Sequence, residues 1–365
     1  MKIKNIITVI LLCAILGGFS IYAFIKPQDV FSDTERRALD QFPELNTETL
    51  LSGAFMKEFE DYTLDQFPMR DSFRGIKAFG EKNIFRKKDN NKIYTAAGHL
   101  SKIEYPLSYT MLDNALSKFE KIRDKNLNES NRVYFSIVPD KNYFIAEKNG
   151  YLHLDYKEMF EYMRSKTPDM EYIDLIYTLE IGDYYYTDTH WRQENLHDTA
   201  AVFAEKMGID IPAKYTVNNV TEPFYGVYCG QYALPVEPDS ISYLTNDTID
   251  NFKVTIYDTG KPVSSEVYNM SKVTSKDPYE MFLSGAVAVQ TIENPNATND
   301  RQLIIFRDSF GSSMAPLLAQ GYAKTTLLDI RYVSSDMLAA FADFENADVL
   351  FMYSSIVLNN STSFK

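Results

Sequence analysis

Residues 302–355 read QLIIFRDSFGSSMAPLLAQGYAKTTLLDIRYVSSDMLAAFADFENADVLFMYSS, and this stretch decides the fold class of the chain. Its three apolar runs, QLIIF, TTLLDI and ADVLFMYSS, predict buried strands. The segments GSSMAPLLAQG and SSDMLAAFADF between them predict helices. Strands and helices that alternate through short connections are typical of a doubly wound parallel sheet, so we expect an α/β fold.

The chain before this stretch supplies further elements. Residues 132–138 (RVYFSIV) predict a buried strand, residues 172–176 predict a second, and residues 195–207 predict a helix. Residues 211–298 are rich in Val, Thr, Tyr and Asn and predict a β-rich insertion in the main fold. Residues 50–85 carry apolar side chains at helical spacing, which predicts two helices interrupted near Pro68, with Asp71 as a possible N-cap of the second.

The N-terminus predicts a membrane anchor over residues 1–26. Lys2 and Lys4 precede an apolar run from Ile6 to Ile25, and a helix needs about 20 such residues to cross a bilayer. Basic residues stay on the cytoplasmic side, so residues 27–365 are expected to form one extracytoplasmic catalytic domain on a single-pass anchor. A cleaved signal peptide is the competing interpretation, although the small-residue site around Ala23 fits a cleavage signal poorly.

Charge and composition disfavour several classes of function. The net charge is −13, and residues 1–26 hold only basic charges, so the remainder is more acidic still. Such a field disfavours binding to nucleic acid and to anionic membrane surfaces, and mildly disfavours a strongly anionic polymer as substrate. The two cysteines, Cys13 and Cys229, exclude a disulfide framework and a cysteine-rich zinc site. The sequence has no phosphate-binding glycine loop and no metal-ligand motif, so we expect neither a cofactor nor a metal.

Ser309 is a candidate nucleophile because it follows a predicted strand and precedes a predicted helix. In open α/β sheets, active sites lie beyond the carboxyl ends of the strands. The backbone N–H groups of Ser309 and Gly311 would point from the helix N-terminus toward a developing oxyanion. The competing interpretation is that Ser309 only caps the helix.

A serine nucleophile needs a base, and His190 is the best placed of the four histidines. Asp188 lies two residues earlier, and in an extended segment such side chains project to the same side. The carboxylate would then hold the imidazole so that its other nitrogen accepts a proton. The alternative is that His190 is a structural histidine packed on Trp191. His153, with Asp155 two residues later, is a weaker candidate for the general base.

Several segments together resemble the DHHW family. They are FSDTERRALDQFP at 31–43, EFEDYTLDQFPMRDSFRGIK at 58–77, Asp188-Thr189-His190-Trp191, Asp308-Ser309-Phe310, and Leu328 to Tyr332. Thr189 stands where the family often has His, and the alginate O-acetylation proteins have the same Asp-Thr-His-Trp form. Each motif is modest alone, and the resemblance rests on their common order and spacing.

The resemblance implies an SGNH-hydrolase-like fold, with Ser309 as nucleophile, His190 as general base and Asp188 as its orienting group. Relatives of this kind transfer acetyl groups onto exopolysaccharide hydroxyls outside the cytoplasmic membrane. They often work beside a multipass membrane acyltransferase that supplies the acyl group. The expected partners are therefore a polysaccharide acceptor and such an acyltransferase.

Further residues are candidates for substrate contact. Arg331 and Tyr332 follow a predicted parallel strand, so they would reach the same edge of the sheet, either as substrate contacts or as a structural pair. Trp191 and the tyrosines 184–186 border the site in sequence. We expect them either to stack on pyranose faces or to pack in the core.

Three other functions remain open from the sequence. The same triad would serve an esterase that removes acetyl groups. Without a working Ser309, the chain would be a non-catalytic scaffold of a polysaccharide-export assembly. Acyl transfer onto teichoic acid or another anionic wall polymer fits less well, because the expected outer domain is acidic.

Overall fold

The computed structural model describes residues 2–258 and 261–365, so Met1, Thr259 and Gly260 lie outside the described residues. Met1 is the part of the expected anchor that falls there. Contacts divide the chain into two compact units. The N-terminal unit comprises Met1–Asn91 and Cys229–Val236, and the sheet unit comprises Lys92–Tyr228 and Glu237–Lys365.

Helices and strands are numbered in chain order. The helices are α1 Lys2–Ile25, α2 Thr47–Ser52, α3 Ala54–Asp65, α4 Arg70–Phe79, α5 Tyr109–Asn126, α6 Asn142–Ile145, α7 Tyr156–Lys166, α8 His197–Met207, α9 Val227–Tyr232, α10 Phe310–Leu318 and α11 Ser355–Leu358. The strands are β1 Phe31–Ser32, β2 Arg37–Ala38, β3 Asp89–Asn90, β4 Ile93–Ala96, β5 His99–Lys102, β6 Arg132–Val138, β7 Glu171–Tyr172, β8 Thr216–Asn219, β9 Ser242–Thr245, β10 Lys253–Ile256, β11 Val263–Ser265, β12 Val289–Glu293, β13 Gln302–Arg307, β14 Lys324–Leu328 and β15 Asp348–Ser354.

The sheet unit is built on an eight-stranded sheet in the order β11-β10-β12-β14-β13-β15-β6-β7. The strands from β14 to β7 run parallel, and β12, β10 and β11 continue the sheet antiparallel. This arrangement confirms a mixed α/β fold around a mostly parallel sheet. The predicted strands of the opening stretch are β13, β14 and β15, which are neighbours, and residues 132–138 form β6 as expected.

Both faces of the parallel strands are buried, which explains why their sequences are continuously apolar. Successive side chains point to opposite faces, so Leu303 and Ile305 of β13 pack in one hydrophobic cluster. Ile304 and Phe306 pack in the other. Helices α8 and α10 contribute to the first cluster, and α5 and α7 contribute to the second.

Two local predictions are wrong. Residues 334–344 (SSDMLAAFADF) form no α-helix, only a 3-10 turn at Leu338–Ala340. Leu338, Ala342 and Phe344 are buried in the second cluster, and this packing outweighs their helical propensity. The strand expected at 172–176 is limited to Glu171–Tyr172.

The described residues of the range 211–298 hold five strands, β8 to β12. Strands β8 and β9 pair with each other, whereas β10, β11 and β12 add to the antiparallel edge of the central sheet. The region is therefore β-rich, and part of it extends the main fold.

The N-terminal unit begins with α1, in which Ile3–Ile25 is long and apolar enough to cross a membrane. Its mean hydropathy reaches 2.4, and none of this window is buried. Helices α3 and α4 match the two predicted over residues 50–85. The apolar side chains of Ile76 and Phe79 on α4 are mostly exposed.

Candidate active site

Ser309 is the N-terminal cap of α10, directly after β13, and it is half-buried. The buried Asp308 fixes this turn, since its carboxylate accepts the N–H of Phe310 at 3.0 Å and the N–H of Ser354 at 2.7 Å. The second bond ties the turn to the end of the neighbouring strand β15. Ser309 is therefore held at the carboxyl edge of the sheet, where the sequence predicted it.

Gly311 lets the turn approach the strand closely. A Cβ at this position would lie 2.6 Å from the Cβ of Arg307, so a larger residue does not fit without a shift. Its N–H donates to the carbonyl of Asp308 at 3.1 Å and is therefore not available to an oxyanion. This corrects the predicted oxyanion role of Gly311. The N–H of Ser309 has no acceptor among residues 2–258 and 261–365, which leaves it as the donor next to the nucleophile.

His190 lies against Ser309, although 119 residues separate them in sequence. Its Nε2 is 2.7 Å from the Oγ of Ser309, and its Nδ1 is 2.6 Å from Oδ1 of Asp188. With Nδ1–H donating to the carboxylate, Nε2 accepts the hydroxyl proton. The structure thus brings Ser309, His190 and Asp188 into one hydrogen-bonded chain.

Asp188 is buried and receives donors on both oxygens. Besides the imidazole, the backbone N–H of His190 donates to Oδ1 at 3.1 Å. The N–H of Val227 donates to Oδ2 at 2.7 Å. The carboxylate is therefore fixed in position by main-chain groups, and it holds the ring of His190 in turn.

The loop that carries this pair is the tip of a short hairpin, closed by an antiparallel bridge between Tyr184 and Trp191. Asp239 braces the loop by accepting the N–H groups of Tyr186 and Thr187, both at 2.8 Å, and the hydroxyl of Thr187. This carboxylate lies in a loop with no sequence signal, and sequence reasoning missed it.

Lys141 braces the same loop from the sheet. Its side chain is buried, and Nζ donates to the carbonyls of Tyr185 at 2.8 Å and Tyr186 at 3.2 Å. Lys141 follows strand β6 at the carboxyl edge, so its position after a predicted strand was a usable signal that sequence reasoning did not exploit.

Tyr279 forms one wall of the imidazole site. Its ring stacks on His190 with centroids 3.8 Å apart and planes 6° from parallel. Burial raises the pKa of its hydroxyl well above the usual range, and that hydroxyl is 2.8 Å from the Oγ of Ser313. The neutral ring restricts rotation of the imidazole and shields it from water.

Trp191 does not offer a face to a ligand, which corrects the stacking role considered for it. It is fully buried, and its indole N–H donates to the Oγ of Ser313 at 2.8 Å. Tyr184 and Tyr185 are buried as well, whereas Tyr186 is about half exposed (49%). Of the aromatic residues 184–186 and 191, Tyr186 is thus the one open to solvent.

Arg331 takes the structural alternative that the sequence left open. Its guanidinium donates to both oxygens of the buried Asp329, at 2.9 Å and 2.6 Å. Tyr332, the next residue, has 48% of its surface exposed and is available to a ligand.

The competing pair His153 and Asp155 does not form. Nδ1 of His153 contacts the carbonyl of Leu154 at 2.7 Å, and Asp155 caps α7 by accepting the N–H of Glu158 at 3.0 Å. Both residues are therefore engaged with nearby backbone. Within the described part of the sheet unit, this leaves His190 as the histidine hydrogen-bonded to a carboxylate.

Comparisons with known proteins place the fold. No family model matches the chain, and no curated protein matches it. Among solved structures, a DHHW family protein from Eubacterium siraeum aligns with a TM-score of 0.59 and 20% identity over 75% of this chain and 95% of that one. Bacillus cereus PatB1 with a sulfonyl adduct aligns with a TM-score of 0.59 and 21% identity, over 73% and 95% of the two chains.

The O-acetyltransferase domain of Pseudomonas putida AlgJ aligns more weakly, with a TM-score of 0.42 and 13% identity over 74% of this chain and 87% of that domain. The first two similarities confirm the resemblance to DHHW proteins at the level of fold. At such identities a shared fold does not carry a shared reaction with it.

Proposed function

We propose that this protein is an extracytoplasmic polysaccharide O-acetyltransferase that works through an acyl-serine on Ser309. The observation that supports the proposal is a pair of hydrogen-bond contacts at the carboxyl edge of the sheet. Ser309 Oγ lies 2.7 Å from Nε2 of His190, and Nδ1 of His190 lies 2.6 Å from Oδ1 of Asp188. A hydroxyl on the first turn of a helix, with a base and an orienting carboxylate in line, is the arrangement that activates serine.

In the first half-reaction, Nε2 of His190 takes the proton of Ser309 as Oγ attacks the carbonyl carbon of an acyl donor. The N–H of Ser309 stabilises the resulting oxyanion. When this tetrahedral intermediate collapses, the bond to the donor's leaving group breaks and the leaving group takes the proton from His190. The serine is then acetylated.

In the second half-reaction, a sugar hydroxyl gives its proton to Nε2 of His190 and its oxygen attacks the acyl-serine. The ester bond to Ser309 breaks, and Oγ regains the proton from the imidazole. Transfer requires the sugar to outcompete water. The exposed rings of Tyr186 and Tyr332 are the groups we propose for holding a pyranose.

The acceptor and the donor follow from the resemblance to the DHHW and alginate O-acetylation proteins. We infer an exopolysaccharide as acceptor and a multipass membrane acyltransferase as the source of the acyl group. Helix α1 would hold the enzyme at the membrane, with the N-terminus cytoplasmic and residues 27–365 outside, because Lys2 and Lys4 precede the apolar run that begins at Ile6.

The decisive experiment is an acetyl-transfer assay on the full chain in detergent, with a chromogenic acetyl ester and an acceptor oligosaccharide. A mass gain of one acetyl group on the sugar supports the transferase. Turnover that is the same with and without the sugar identifies an esterase instead. Binding of the oligosaccharide without any turnover identifies a scaffold.

The matched variants are Ser309→Ala and Ser312→Ala, one helical turn apart on α10. The Oγ of Ser312 is buried without a hydrogen-bond partner among the described residues, so its removal should not disturb folding or activity. Ser309→Ala should lower kcat by about 10⁴-fold or more, since the nucleophile is lost. An active Ser309→Ala variant would exclude the acyl-serine mechanism.

A further inference from the structure

Helix α4 and the segment after it have their polarity reversed relative to a normal surface helix. The charged side chains of Arg70 and Arg74 point into the N-terminal unit, where they pair with Glu35. On the same helix Ile76 is 66% exposed and Phe79 is 56% exposed. An amphipathic helix in water normally buries its apolar stripe, whereas this helix leaves part of it uncovered.

The exposed apolar surface extends beyond α4. Ile84 and Phe85, in and just after the π-helical turn Gly80–Ile84, have 69% and 71% of their surfaces exposed. Leu64 and Met69 are also exposed. Contiguous apolar surface of this kind marks an interaction site in a soluble or membrane-associated protein.

Two other apolar residues of the same segment, Phe67 and Phe73, contact the membrane-spanning helix. Phe19 of α1 stacks on Phe67 with centroids 5.7 Å apart and meets Phe73 edge-on at 5.8 Å. A groove of about 450 Å³ runs between α1 and helices α3 and α4, lined by apolar side chains that include Ile15 and Phe59. The segment that carries the exposed apolar residues is therefore packed against α1 through Phe67 and Phe73.

A membrane-spanning α1 would place this groove at the depth of the lipid acyl chains. At a rise of about 1.5 Å per residue, Phe19 lies about 9 Å and Ile15 about 15 Å from the end of α1 at Ile25. Half of the hydrocarbon core is about 15 Å thick. If Ile3–Ile25 spans the membrane, Phe67 and Phe73 lie at the depth of the acyl chains of the nearer leaflet.

The charges beside this surface fit a lipid headgroup layer. Residues 75–88 (GIKAFGEKNIFRKK) hold five basic side chains and one acidic side chain, in a protein whose net charge is −13. Arg86, Lys87 and Lys88 follow Phe85 directly and are exposed. Basic residues next to membrane-buried aromatic ones are typical of helices that lie in the membrane interface.

We propose that the exposed apolar face of residues 64–85 is embedded in the leaflet that surrounds the C-terminal half of α1, with lipid acyl chains filling the groove beside α1. The chain is then held by a spanning helix and by an interfacial element. This second contact fixes how the N-terminal unit sits on the membrane, which a lone helix with a flexible linker would leave open.

The test uses the full chain in vesicles of phosphatidylethanolamine and phosphatidylglycerol, in a Cys13→Ser, Cys229→Ser background. A fluorescent label is attached at Ile76→Cys and, as control, at Glu129→Cys, an exposed turn position of the sheet unit. We expect lipids brominated on their acyl chains to quench only the label at 76. Aqueous iodide should quench that label about tenfold less than the control, because an interfacial face is buried about 5–10 Å below the headgroups.

Phe79→Cys provides a second labelled position on the same face, and far-UV circular dichroism checks that each variant is folded. Equal iodide quenching at 76, 79 and 129, with no effect of the brominated lipid, would overturn the proposal. That outcome would assign the surface to a protein partner rather than to lipid.

Discussion

Replacing Asp188 by asparagine tests the triad with a change of one atom. Three N–H donors converge on the two carboxylate oxygens of Asp188: the ring Nδ1–H and the backbone N–H of His190 on Oδ1, and the N–H of Val227 on Oδ2. An amide has only one acceptor oxygen and one NH₂ group. In either orientation of the new side chain, the NH₂ group would therefore face one of these N–H donors. The packing is otherwise unchanged.

Both orientations of the new amide are unfavourable. If its oxygen accepts the N–H of Val227, its NH₂ group faces His190 and selects the tautomer with the proton on Nε2, which then cannot accept the proton of Ser309. If its oxygen faces His190, the amide NH₂ opposes the N–H of Val227 and neither donor has an acceptor there, at a cost of about 1–3 kcal/mol. We therefore expect Asp188→Asn to lower kcat by about 10³- to 10⁴-fold, or about 4–5.5 kcal/mol in activation free energy.

The assay is the kcat for a chromogenic acetyl ester, measured on the full chain with a folded fraction established by circular dichroism. Asp155→Asn is the matched control. Asp155 lies two residues from His153 but only caps α7, and Asn caps a helix as well as Asp does. The control should keep full activity. If Asp188→Asn then keeps more than about one tenth of wild-type activity, the reasoning is refuted, because the expected loss of activity is about a hundred times larger than tenfold.

Three further predictions address the supports of the site and of the N-terminal unit. Lys141→Met removes two hydrogen bonds to the hairpin that carries Asp188 and His190. It should lower kcat about tenfold with KM nearly unchanged, because a misplaced catalytic group slows the reaction more than it weakens binding. Steady-state kinetics checks this, and an unchanged kcat would contradict it. Gly226→Ala should lower both activity and Tm, because its Cβ would lie 2.4 Å from the backbone of Thr187; thermal unfolding followed by fluorescence measures the effect, and a wild-type Tm would count against it. Burial alone raises the pKa of Asp65, but the hydrogen bond from Arg37 and the N–H of Asp40 outweigh it and lower that pKa to about 2. The Arg37–Asp65 ion pair therefore stabilises the fold fully above the unfolded pKa of about 3.9, and this effect is lost as the pH falls toward 2. The difference in free energy of unfolding between Arg37→Gln and wild type should shrink over that pH range. Urea titrations measure this difference, and a constant value would argue against the reasoning.

The central sheet and the anchor follow from local patterns in the sequence. Continuous apolar runs marked β6, β13, β14 and β15, because strands buried on both faces have no polar side to display. The run from Ile6 to Ile25 marked a helix long enough for a bilayer. Helical periodicity gave the wrong prediction for residues 334–344. There, contacts with the rest of the second cluster determine the backbone conformation.

The candidate site was partly predictable from the sequence. Asp188 and His190 are two residues apart, so their pairing was predictable, and Ser309 was marked by its place between a strand and a helix. Their catalytic role stays a prediction. Lys141 carried a usable signal in its position after β6. Asp239 and Tyr279 carried none, because what each contributes is a contact with a segment distant in sequence, such as the stack of Tyr279 on His190.

Sequence alone determined which segments are apolar, which residue types carry chemistry, and their order along the chain. Only the tertiary structure decided that Ser309 meets His190 across 119 residues, that Trp191 is buried, and that Gly311 serves the close packing of its turn. It also turned the apolar face of α4 outward. The physical reason is that periodicity records the average surroundings of a segment, whereas hydrogen bonds and ring contacts depend on which distant atoms the fold brings within about 3–4 Å.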